Sequence, residues 1–108
     1  MTELSSRLEA ELERGRDSSL LRFTLARSLM ASGAAEKALV HLDAAVEMSP
    51  TYSAAWGQLG KCKELLGDTE GAVAAWLTGS RTSLDNGDIQ AHRQMEVWLR
   101  RMKARTGE

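Results

Sequence analysis

His41, His92, Cys62 and the oxygen-rich run Asp85-Asn86-Gly87-Asp88 are the residues of this chain whose types could do chemistry. Zinc chemistry needs ligands at fixed helical or loop spacings, and neither histidine belongs to an H-x3-H, H-E-x-x-H or Cys–His arrangement. Cys62 lies between Lys61 and Lys63, and flanking cations lower a thiol pKa. It falls mid-helix with no base at hand, so it reads as a small packing residue. Asp85 to Asp88 lacks the D-x-D-x-D-G order and distal glutamate of a calcium loop, leaving a turn followed by a helix N-cap. Glycines 57, 60, 67 and 71 do not form G-x4-G-K-[ST], so no phosphate loop is present. No catalytic activity, metal or cofactor is expected.

What surrounds these residues must then be a scaffold. A chain of 108 residues supports one domain with one modest core. Hydrophobic residues at 43% and charged residues at 27% are the balance of a globule rather than a disordered tail. Proline occurs once, and the common residues are helix formers, which argues against a sandwich or barrel. Fourteen Lys+Arg against fifteen Asp+Glu leave no strong basic footprint, so nucleic acid is not the expected partner. A lone cysteine excludes an internal disulfide framework. No stretch reaches the length of a membrane span, and MTELSSRLEAELERG carries no apolar signal core. The expected compartment is the cytoplasm.

Sliding the chain on itself by 34 residues aligns Leu25 with Leu59, Ala26 with Gly60, Gly33 with Gly67 and Ala38 with Ala72. It also aligns Leu39 with Val73, Leu42 with Trp76 and Ala45 with Gly79. Small residues at 26 and 60, and at 38 and 72, let helix backbones approach. Large residues at 42 and 76 fill the space between them. Gly33 and Gly67 fall where a helix must stop, a place for the left-handed conformation glycine adopts freely. Each unit holds two amphipathic helices, one striped by Leu21, Leu25, Ala26 and Leu29, the next by Ala38, Leu42, Ala45 and Val46. Pro50 closes the first unit, and Asp68 is placed to cap the last helix of the second. Turns of about two to five residues make sequential helices antiparallel neighbours.

With W-x2-L-G at Trp56, Leu59 and Gly60, then Gly67-Asp68, Ala72 and Trp76, the chain resembles the tetratricopeptide repeat family. Leu25, Ala26, Leu29, Gly33, Ala38, Ala45 and Pro50 carry the likeness in the preceding unit. It spans roughly Ser19 to Leu84. The resemblance implies an all-α fold, a right-handed α-solenoid of antiparallel helix pairs with about six helices in a single domain. Residues 19–52 and 53–86 would be two repeats, 1–16 an N-terminal capping helix and 88–105 a C-terminal one. The caps show in the Leu4, Leu8, Leu12 stripe and in Ala91, Met95, Trp98, Leu99 and Met102. The latter stripe is one residue late against the repeat, as a longer loop at Asn86-Gly87 would make it. Arg22, Lys63 and Leu84 depart from the family's tryptophan, tyrosine and closing proline. The first two can pack through their aliphatic stems, and the third suggests a looser last connection than the Pro50 turn.

Membership would also imply a concave groove lined by the first helix of each unit. The lining positions carried onto this chain are Leu20, Phe23, Arg27, Met30 and Ala31, then Ala54, Gly57, Lys61, Glu64 and Leu65. Phe23, Arg27 and Met30 fall at i, i+4 and i+7, on the side away from Leu25 and Leu29. Arg27 and Lys61 stand 34 residues apart, so stacking should bring the two cations side by side. Gly57 leaves a gap for a ligand side chain or for Phe23. Such a groove suits an extended or helical peptide carrying an acidic residue or a C-terminal carboxylate. The lysine–asparagine set with which some family members grip a carboxylate is absent.

The expected function is a non-catalytic protein–protein interaction module that binds a peptide or partner subunit as a monomer or weak homodimer. An alternative is a structural, self-associating subunit that uses Leu4, Leu8 and Leu12 or Trp98 and Met102. Residues 1–17 are net −2 and residues 87–108 net +2, a polarity that permits head-to-tail contact. A further alternative is weak nucleic-acid binding through Arg100, Arg101, Lys103 and Arg105. Basic side chains at a helix C-terminus have a simpler role in complementing its dipole.

Overall fold

A computed structural model describes residues 3–107. Six helices follow one another: α1 Glu3–Glu13, α2 Ser19–Ala31, α3 Ala35–Met48, α4 Ser53–Leu65, α5 Thr69–Asp85 and α6 Ile89–Thr106. No strand occurs among the described residues. Each helix packs on its sequence neighbours, and α2, α4 and α6 also stack on one another. The result is an all-α stack of helix pairs measuring 44 × 29 × 18 Å.

Local chemistry explains the boundaries. Ser18 accepts from the Leu21 N–H, Asp68 from Gly71 and Asp88 from Ala91, each relieving an orphan donor at a helix start. Gly33, Gly67 and Gly87 end α2, α4 and α5 at φ +84°, +80° and +77°. The glycine N–H donates back to the carbonyl of Met30, Glu64 or Leu84, and the next residue's N–H to that of Leu29, Lys63 or Ser83. That double bond is the Schellman stop, which requires φ > 0.

Packing between units follows the small–large pattern. Leu25, Ala26, Leu29, Ala38, Leu42, Ala45, Ala55, Leu59 and Cys62 form one buried cluster, and Ala72, Trp76, Met95 and Met102 a second. A Cβ added to Gly60 would lie 2.1 Å from Trp76 Nε1 and 2.4 Å from its Cδ1. The indole therefore rests on the α4 backbone, and its N–H donates to the Gly57 carbonyl at 3.1 Å. Cys62 is a buried packing residue whose thiol donates to the Ala35 carbonyl at 3.1 Å.

Three details correct the sequence reading. The connection before α6 is neither longer nor looser than the Pro50 turn. It is three residues against four, and Asn86 Nδ2 ties it to the Thr51 carbonyl at 2.8 Å. The offset of α6 is two residues rather than one, because α5 has 17 residues where α3 has 14 and the connection after it is one residue shorter. Without a proline at Leu84, α5 runs on to the next glycine stop. In α1, Ser5 rather than Leu4 is buried, and its hydroxyl meets that of Ser28 at 2.6 Å while Leu4 faces out. Arg22, at the family's tryptophan position, packs partly buried and pairs with Asp17 at 2.9 Å.

Candidate partner-binding face

Three first helices, not two, form one face. The α2 and α4 positions expected from sequence lie as follows. Leu20, Arg27, Ala31, Ala54 and Leu65 are exposed, Phe23, Met30, Lys61 and Glu64 half-buried, and Gly57 buried. α6 stacks beside α4 as α4 stacks beside α2, adding Gln94, Met95, Trp98, Arg101 and Arg105 to this surface.

Trp98 takes the gap left by Gly57. A Cβ on Gly57 would sit 3.4 Å from Trp98 Cζ3, an ordinary van der Waals contact, so the ring lies over this position close to the α4 backbone. The ring also tilts against Trp76 with centroids 5.5 Å apart. On the α2 side Phe23 pairs with Tyr52 at 5.1 Å, and the Arg27 guanidinium rests 5.8 Å above the Phe23 ring. Between these aromatic pairs runs a cleft of about 260 Å³, lined by Phe23, Arg27, Gly57, Gln58, Gln94 and Trp98 among others. It touches α2, α4 and α6 at once.

The two cations Arg27 and Lys61 open onto different clefts. Arg27 lines the aromatic one and makes no ion pair among the described residues. Lys61 lines a neighbouring cleft of about 690 Å³ with Glu64, Trp98, Arg101 and Arg105. Its ammonium lies 4.5 Å from the Trp98 centroid and 3.6 Å from Glu64 Oε1. Glu64 also accepts a hydrogen bond from Arg105. One carboxylate thus partly neutralises two cations, while Arg101 forms no ion pair among the described residues. Arg27 and Arg101 are the cations of these two clefts that make no ion pair among the described residues.

Sequence reasoning did not place Trp98, Arg101 and Arg105 on this face. The apolar stripe of α6 was visible, but its starting residue lies 36 positions after that of α4, against 34 between α4 and α2. A strict 34-residue projection therefore assigns its face wrongly.

One polar cluster resembles a catalytic set without the required proton arrangement. Ser80 Oγ donates to Glu96 Oε1 at 2.6 Å, and His92 Nδ1 lies 2.9 Å from both the hydroxyl and the carbonyl of Ser80. A carbonyl only accepts, so Nδ1 carries the proton and cannot take one from the hydroxyl. Ser80 is also only 4% exposed. The cluster fastens α6 to α5. His41 is likewise occupied, since Arg22 Nη1 lies 3.2 Å from its Nδ1. Burial and the Arg22 charge lower its pKa. Burial and Asp43 raise the Cys62 pKa, so the flanking lysines do not activate the thiol. No group of three or more potential metal ligands gathers among the described residues, and no helix there is long and apolar enough to cross a membrane.

Comparison with known proteins agrees with this architecture. Residues 29–92 match the family described as tetratricopeptide repeat. The chain is 45% identical over 100 residues to the TPR repeat-containing protein PA0015 of Pseudomonas aeruginosa, covering 92% of this chain and 95% of that one. The solution structure of protein BPP2914 from Bordetella parapertussis superposes with a TM-score of 0.84 at 41% identity, over 97% of this chain and 91% of that one. A tetratricopeptide repeat domain protein from Salinibacter ruber, at 22% identity and a TM-score of 0.76, shares the fold over 82% of this chain and 89% of its own. With stacked helix pairs, Gly60 under Trp76 and glycine stops one repeat apart, the chain belongs to the tetratricopeptide repeat family.

Proposed function

We propose that this protein is a non-catalytic adaptor that holds a peptide segment of a protein partner across α2, α4 and α6. Membership in the family points to a protein–protein interaction module, and the finer reading rests on one observation. The aromatic cleft crosses all three first helices, with Arg27, which makes no ion pair among the described residues, at one end and Trp98 at the other. A peptide laid there would meet Phe23 and Trp98 with its apolar side chains. An acidic side chain or C-terminal carboxylate would meet Arg27, and Arg101 in the adjoining cleft would offer a second anchor. Leu20 and the Lys61–Glu64 pair would form the rim. This reading places the protein in the cytoplasm.

The test is affinity capture from the native lysate with wild type and with Arg27→Glu combined with Lys61→Glu. Captured partners should be lost from the variant while its helicity is kept. Undiminished capture removes the groove assignment.

A further inference from the structure

The cleft that adjoins the aromatic one carries more positive charge than its helices require. Its charged lining is Lys61 and Glu64 from α4 with Arg101 and Arg105 from α6, three cations against one carboxylate, and α5 contributes only the Trp76 ring. Basic side chains in the last turn of a helix complement its dipole, which accounts for Arg105 in α6. Lys61 and Arg101 lie outside the last turns, where Lys63 serves α4 and Lys103 and Arg105 serve α6. Arg101 and Arg105 also stand four residues apart on one helix, a spacing at which like charges repel. An anion in the cleft would offset that repulsion.

Glu64 shows how the cleft treats a negative group. Its carboxylate lies 3.6 Å from the Lys61 ammonium and accepts a hydrogen bond from Arg105 across the cleft. One carboxylate leaves a net charge of two positive in the lining, and Arg101 makes no ion pair among the described residues. A ligand with a single carboxylate would leave the cleft positive. A phosphoryl group on a side chain carries about −1.5 to −2 charge at pH 7 and three acceptor oxygens in one compact unit. The planar guanidinium of arginine meets such a group in bidentate contact.

We propose that this cleft binds a phosphorylated side chain of a peptide segment, with Arg101 as the main contact and Lys61 and Arg105 shared between the phosphoryl oxygens and Glu64. The inference rests on the peptide reading above for the source of the phosphate. Trp98 lines both clefts, so a segment that crosses the aromatic cleft continues into the basic one along the same surface. At about 690 Å³ the cleft has room for a phosphoserine or phosphothreonine side chain. The Lys61 ammonium, 4.5 Å from the Trp98 centroid, couples the charge of the cleft to a fluorescent ring.

Glu64 is then the residue that sets selectivity. A carboxylate ligand competes with it like for like at Lys61 and Arg105, whereas a dianion pairs with Arg101 and still draws on the other two cations. The second charge should give a phosphopeptide about tenfold or more tighter binding than its glutamate counterpart, the effect of one further charge-assisted hydrogen bond.

Tryptophan fluorescence of the full chain, titrated at low salt, tests the proposal. The probes are short peptides of leucine and alanine carrying one phosphoserine, one serine, one glutamate or two adjacent aspartates, and inorganic phosphate alone. The phosphoserine peptide should bind tightest and weaken as pH falls through about 6, where phosphate loses its second charge. Arg101→Gln, at an exposed position with helicity checked, should bring it down to the level of the glutamate peptide. The proposal is overturned if the glutamate or aspartate-pair peptide binds equally well, if inorganic phosphate alone does, if Arg101→Gln changes nothing, or if no peptide binds at about 1 mM. Arg27→Glu, outside this cleft, separates the two readings. Phosphoserine binding that depends on Arg101 and ignores Arg27→Glu keeps the phosphoryl site and removes the aromatic cleft from the path. Binding of all peptides alike, lowered by Arg27→Glu and untouched by Arg101→Gln, keeps the groove and overturns the phosphoryl site.

Discussion

Replacing Gly60 with alanine should be destabilising in this protein and become harmless once Trp76 is made leucine. The added methyl would fall 2.1–2.5 Å from three indole atoms of Trp76. Alanine improves helix propensity over glycine by about 1 kcal/mol. Against that, overpacking a rigid ring costs about 1–3 kcal/mol. Shifting the ring also strains the buried N–H bond to the Gly57 carbonyl, and leaving that donor unpaired costs about 1–3 kcal/mol. The net loss is about 1–5 kcal/mol, or a fall in Tm of at least about 4 °C for a domain of this size.

Trp76→Leu by itself leaves a cavity and should cost about 2–4 kcal/mol. Together the two changes recreate the pair of the first unit, Ala26 and Leu42, both fully buried there. In the Trp76→Leu background the alanine should be neutral or stabilising by up to about 1 kcal/mol, its propensity gain no longer opposed. Urea unfolding followed by circular dichroism gives the four stabilities of the cycle. If Gly60→Ala is as harmful with leucine at 76 as with tryptophan, the indole is not what requires the glycine.

Two other outcomes follow from buried titratable groups. His41 has a folded pKa below its ordinary value of 6.5, because burial and Arg22 disfavour the imidazolium. The unfolded chain therefore takes up this proton first, and stability present above pH 6.5 is lost as pH falls through the folded pKa. A His41→Gln variant should show a flatter stability profile in that window, and an unchanged slope would count against the assignment. Burial raises the Cys62 thiol, so a disulfide reagent should label it only as fast as the protein opens, with the rate rising in step with urea. Labelling that is fast in the absence of urea would contradict the packing.

The 34-residue echo was legible because it is a local property repeated. Helix-forming runs, glycine stops at 33 and 67 and small–large pairs such as Gly60 and Trp76 follow from backbone sterics and side-chain volume along one segment. The α2 and α4 residues of the candidate face could be named for the same reason. That Pro50 has no counterpart at Leu84 was also plain, but not its consequence. A missing stop could loosen the loop or lengthen the helix, and tertiary packing chose the second, with Asn86 tied to Thr51.

Sequence alone thus determined the helix pairs, their order and the small residues on which they close. Only the tertiary structure decided how charge and ring surface are distributed over the candidate face. Trp98 lies in the gap of Gly57 and Arg105 pairs with Glu64, contacts that join residues 41 apart because α6 is set down beside α4. Periodicity specifies which side of a helix is apolar. The partner of a charged or aromatic side chain depends on the rotation and register of the next helix, which a two-residue extension of the repeat suffices to change.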